Sequence, residues 1–70
     1  MIYPYIDRIR KIRKNHNLSQ DEVARLLGTS QTMYSRYERG LSEMPIRHLV
    51  MLADYYRISA DYILGRTDIM

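Results

Sequence analysis

Between Ser19 and Gly40 the chain carries two short helical patterns, QDEVARLL and QTMYSRYER, with only Gly28, Thr29 and Ser30 between them. The start of the first is written twice. Ser19 and Glu22 stand at the two positions of a capping box, and Leu18 and Val23 at those of a hydrophobic staple, so the helix begins at Gln20. Gly28, directly after Leu27, suits the left-handed residue that ends such a helix, and Thr29 or Ser30 can cap the next one at once. A connection this short locks the two helices into one bihelical unit, and the remaining chain must cover its apolar side.

The rest of the sequence is suited to that task. Apolar residues recur at helical spacing, no period-2 run persists, and with Phe and Trp absent tyrosine is the sole aromatic, which gives an all-α chain. Five helices are predicted, near residues 5–15, 20–27, 31–39, 45–56 and 60–64, in a single domain over residues 1–70 with no repeat or linker. A domain of this size buries only about 60% of the surface its unfolded chain exposes, so its stability margin is thin. There is no cysteine, and two histidines are too few to hold a zinc ion, so no metal and no cofactor is expected. The start MIYPYIDR lacks a signal-peptide core and no apolar run approaches a membrane span, which predicts a soluble, cytoplasmic chain without a membrane partner.

Charge adds a direction. Eleven Lys and Arg against eight Asp and Glu leave +3, a modest bias toward polyanions. Arg8, Arg10, Lys11, Arg13 and Lys14 crowd into one run, which reads first as a solvated helix face. On the third helix a step of about 100° per residue puts Ser30, Tyr34, Tyr37 and Glu38 on one arc and Thr32, Ser35, Arg36 and Arg39 on the other, with Gln31 flanking the N-terminus. Short hydrogen-bonding groups with two arginines are unusual for an ordinary wet face and suit base edges and phosphates. In the first helix Tyr5, Ile6, Ile9 and Ile12 form the apolar stripe, and Arg13 lies at its edge. An inward arginine needs a partner, and Glu38 is the inward acid of the third helix, so an Arg13–Glu38 bridge is expected.

LSQDEVARLLGTSQTMYSRYERG resembles the helix-turn-helix of the phage repressor and Cro family, also called the xenobiotic-response-element family. MPIRHLVMLADYYRISADYILGRTD is similar to the last two helices of its small members. The likeness covers roughly residues 5–66 and implies a compact five-helix repressor-like domain whose third helix enters the major groove of double-stranded DNA. By this resemblance Gln31, Thr32 and Arg36 are base-contacting positions, joined by Ser35. Gln20 contacts a phosphate and braces Gln31, and the family's Arg-to-Glu bridge falls on Arg13 and Glu38; Arg39, from its place on the outer arc of the third helix, is expected as a further phosphate contact. The loop LSEM departs from the family in carrying an acid, Glu43, where a base often touches phosphate.

On the fourth helix Ile46, Leu49, Ala53 and Tyr56 form the expected core stripe, and His48, Met51 and Tyr55 a second strip suited to self-association, to which Ile69 and Met70 can add. His16 and His48 are placed on the surface, and Ile58, Ser59 and Ile63 repeat the staple-and-cap pattern before the last helix. The function that follows is a transcriptional regulator, a repressor by occupancy of promoter DNA, acting as a homodimer on a two-fold operator. Two alternatives stay open: the antitoxin of a toxin–antitoxin pair, which adds a protein partner, and a protein-interaction module that keeps the fold. With no metal set, phosphate loop or evident nucleophile and base, an enzyme is not expected.

Overall fold

The computed structural model describes residues 4–70, in five helices: α1 (Pro4–Asn15), α2 (Gln20–Leu27), α3 (Gln31–Glu38), α4 (Ile46–Tyr56) and α5 (Ala60–Leu64). Residues 1–3, which begin the stretch read as lacking a leader, lie outside the described residues. Helix boundaries agree with expectation to within one residue. Pro45 and Arg39, expected as helical ends, are instead the N-cap of α4 and the C-cap of α3.

The bihelical unit closes as its caps dictate. Ser19 Oγ accepts the Glu22 N–H at 3.0 Å while Glu22 Oε1 accepts the Ser19 N–H at 3.0 Å, which completes the capping box. Gly28 sits in the left-handed region with φ +72°, and the Thr29 N–H reaches back to the Ala24 carbonyl at 2.9 Å, the long bond of a Schellman ending. Ser30 Oγ then accepts the Met33 N–H at 3.1 Å. α2 and α3 therefore leave the turn with their apolar sides, Val23, Ala24 and Leu27 on one and Tyr34 and Tyr37 on the other, in a common core with Ile9, Ile12, Leu52, Tyr56 and Ile63. Ser59 caps α5 through the Tyr62 N–H, and the half-buried Ile58 and buried Ile63 flank it as the staple pattern requires.

α4 is rotated from the expected phase. Its buried line is His48, Leu52 and Tyr56, at steps of four, with Leu49 and Ala53 half-buried beside it. Ile46, assigned to the core stripe, is 78% exposed, and His48, assigned to the surface strip, is only 4% exposed. The reason is that His48 has a polar partner indoors: the Tyr37 hydroxyl lies 3.2 Å from its Nδ1, and the two rings meet edge to face. Burial, aided by the Arg47 charge, lowers the His48 pKa below its ordinary value, so at neutral pH the ring is uncharged. His16 stays exposed as expected, with its Nδ1 on the Ile12 carbonyl and its ring against Tyr56.

Candidate nucleic-acid interface

Glu38, on the underside of α3, is the point where the first three helices meet. Arg13 from α1 donates through Nε to Oε2 at 2.7 Å and through Nη2 to Oε1 at 3.1 Å, the bidentate fork. Its remaining terminal nitrogen, Nη1, donates to the Leu18 carbonyl at 2.9 Å, so the same guanidinium also holds the loop into α2. The expected Arg13–Glu38 bridge is thus present, with side chains 11% and 3% exposed.

Burial alone would raise the Glu38 pKa, but the hydrogen bond from Arg13, with help from Tyr34 and Gln20, outweighs it and leaves the carboxyl below its ordinary value. The same bond to Glu38 raises the pKa of Arg13. The Tyr34 hydroxyl is buried close to this carboxylate, and desolvation, then its interaction with Glu38, raises its pKa well above the ordinary phenol.

Gln20 has a partner that the sequence did not suggest. Its Nε2 donates to Glu38 Oε1 at 3.0 Å, which makes it the third strand of this knot, and no hydrogen bond joins it to Gln31 among the described residues. One amide N–H is thereby committed indoors and the second is left.

With Tyr34, Tyr37 and Glu38 turned inward, α3 presents Gln31, Thr32 and Met33 to solvent, with Ser35 and Arg36 half-buried and Arg39 exposed at its end. The five outward residues singled out from the sequence share this one face. Met33, 38% exposed at its edge, was not among them, because one apolar residue beside a polar arc gives no periodic signal. Arg39 Nε reaches the Ser35 carbonyl at 3.4 Å.

Arg36 is engaged with the segment that follows the helix: its Nε donates to Ser42 Oγ at 2.8 Å and its Nη2 to the Leu41 carbonyl at 3.3 Å. Ser42 went unnoticed in the sequence for a physical reason. It lies six residues beyond Arg36, past a left-handed Gly40, where helical spacing has no meaning.

The basic run of α1 divides. Arg8 stacks over the Tyr62 ring at 4.2 Å and pairs with Asp68 at 2.7 Å, and Arg10 pairs with Asp7 at 2.6 Å. Lys11 and Lys14 are exposed on this helix, away from α3's outer residues in sequence and unpaired among the described residues.

The comparisons with known proteins fit this geometry. The helix-turn-helix family model matches residues 9–63. The uncharacterized transcriptional regulator YobD of Bacillus subtilis is 41% identical over 64 residues, which cover 91% of this chain and 57% of YobD. The cryptic phage CTXphi transcriptional repressor RstR of Vibrio cholerae is 37% identical over 86% of this chain and 54% of its own length. This chain spans about half the length of the curated relatives it matches. Among solved structures, the P22 c2 repressor in complex with synthetic operator 9T superposes with a TM-score of 0.81 at 27% identity, over 94% of this chain and all of that one.

Proposed function

The chain belongs to the helix-turn-helix family, and from that premise we propose that it binds double-stranded DNA sequence-specifically and regulates transcription, as a repressor that occupies promoter DNA. The observation that carries this is the outer face of α3: Gln31, Thr32, Ser35, Arg36 and Arg39 stand together there, on a helix held from below by the Arg13–Glu38–Gln20 knot. Reading bases requires such a face to be presented at a fixed angle to the major groove, and a bidentate buried bridge limits rocking about α3. Gln31, Thr32, Ser35 and Arg36 contact base edges. Arg39 contacts a phosphate, as does Gln20 through the amide N–H that Glu38 leaves free. No catalytic chemistry is assigned to the chain, and its place of action is the cytoplasm.

The protein acts as a homodimer on a two-fold operator. A protein partner is a second reading, favoured by two findings: the antitoxin PezA of Streptococcus pneumoniae is 35% identical over 81% of this chain, and a SinR protein/SinI protein complex superposes with a TM-score of 0.74 at 28% identity. Selection of bound sequences from a random duplex pool tests the main proposal. A two-fold symmetric consensus is expected, and affinity for random DNA that falls steeply with salt. No enrichment, with no salt-dependent binding, would leave the fold serving a protein partner instead.

A further inference from the structure

We propose that Ser42 is a specificity-determining positioning residue, which acts by fixing which edge of Arg36 faces the DNA; the inference rests on the DNA-binding function proposed above. The bonds between Arg36 and the following segment run both ways. The Leu41 and Ser42 N–H groups both donate to the Arg36 carbonyl, at 2.9 and 3.3 Å, while the Arg36 side chain donates to Ser42 Oγ and to the Leu41 carbonyl, at 2.8 and 3.3 Å. Backbone and side chain of one residue are thus closed onto the same two residues. The turn that brings them back passes through Gly40 at φ +72°, where a Cβ would stand 3.0 Å from Ile6 Cδ1, so the segment is also held against α1.

A guanidinium has two forks, a side-on pair formed by Nε and Nη2 and an end-on pair formed by Nη1 and Nη2. The clamp occupies the side-on fork with Ser42 and Leu41. The end-on fork remains, and it is the one able to approach guanine O6 and N7 while the clamp stays shut. Ser42 therefore restricts Arg36 to one mode of approach, and its hydroxyl lowers the conformational freedom that a long side chain otherwise loses on binding. The hydroxyl keeps its own proton throughout, since it serves here only as acceptor.

Three binding series and one measurement without DNA test this. Arg36→Ala is expected to relax preference at a single base pair per half-site, and Ser42→Ala to lower preference at that same base pair by about 2- to 10-fold, the worth of one hydrogen bond, with affinity for random DNA unchanged. Ser42→Thr, which keeps the hydroxyl, is expected to retain the preference. In an Arg36→Ala background Ser42→Ala is expected to add nothing. In the free protein, hydrogen exchange at Arg36 Nε is expected to be slow, to quicken in Ser42→Ala and to stay slow in Ser42→Thr. An equal loss on all sequences would make Ser42 a phosphate contact and overturn the proposal. So would an unchanged preference with unchanged exchange, or an effect that survives in the Arg36→Ala background. A wild-type protein without any sequence preference overturns the function on which the proposal rests, and the exchange measurement then still decides whether the clamp exists in solution.

Discussion

A carboxylate only 3% exposed has to find its partners inside the protein, and Glu38 finds three donors on two other helices. Each is charge-assisted on the acceptor side, and Arg13 contributes two of them in a fork whose geometry lysine cannot reproduce. Removing either end of the bridge strands the other. Arg13→Met and Glu38→Leu made singly are therefore expected to destabilise by about 3–5 kcal/mol each, in urea at neutral pH, and together by less than the sum. A change below about 0.5 kcal/mol in both singles would reduce the bridge to the standing of a surface pair. The sign of the pH dependence follows from the lowered Glu38 pKa: its contribution is complete above the ordinary value of 4.5 and is lost as pH falls from there through the folded-state value. Glu38→Gln is expected to flatten that acid limb relative to wild type.

Helix α2 was legible to the residue, and α3 at its start, because these ends are specified by side chains adjacent in sequence: Ser19 with Glu22, Gly28, and Ser30. The Arg13–Glu38 contact was legible too, since each is the charged residue on an otherwise apolar arc. α4 was legible in length and not in phase. Its most buried line contains a histidine, and a pattern of hydrophobicity has no way to know that Tyr37, eleven residues earlier, supplies the hydroxyl that makes His48 tolerable indoors. With His48 counted as polar, Ile46 was drawn into the stripe and Leu52, fully buried, was left out of it. The outer face of α3 was legible as a set of residue types, while the inward turn of Gln20 and the clamp on Arg36 depend on atoms brought together only by the turn geometry. The buried histidine leaves a measurable mark on its element. Because its pKa is lowered in the folded chain, the unfolded chain binds the proton first, and stability is expected to fall as pH drops below the ordinary histidine value of 6.5. His48→Leu should abolish that slope between neutral pH and the onset of carboxylate titration; a slope unchanged in the variant would mean that the ring is accessible to protons in the folded state.

At the scale of the whole molecule, the solvent side of α4 is the surface that the monomer leaves unexplained. Losing His48 to the core narrows the expected self-association strip to Met51 and Tyr55, which are 39% and 49% exposed, with Leu26 of α2 at 36%. Tyr55 and Leu26 border one shallow depression with Leu18 and Val23, edged by Glu22 and Arg25, so apolar groups of the two helices meet there. Ile46 and Val50 form a second apolar shoulder, separated from the first on the helical wheel by the exposed Arg47 and Asp54. The proposed homodimer would place two recognition helices about 34–36 Å apart, one turn of DNA, so that both meet the same side of the duplex. If the Met51–Tyr55 strip joins the protomers, a charge placed in it removes apolar contact and adds an unpaired buried ion, both of which oppose association. Tyr55→Glu and Met51→Glu are then expected to lower affinity for a full two-fold operator at least tenfold, roughly the 1.4 kcal/mol equivalent of one such contact, while leaving affinity for an isolated half-site unchanged. Ile46→Glu, on the other shoulder, serves as the control and is expected to change neither. Sedimentation of the operator complex should give two wild-type protomers per duplex, and a single protomer at saturation would defeat the dimer. Loss with Ile46→Glu alone would move the interface to the second shoulder, and equal loss on full site and half-site would show that the substitution had damaged the DNA-binding face rather than the contact between copies.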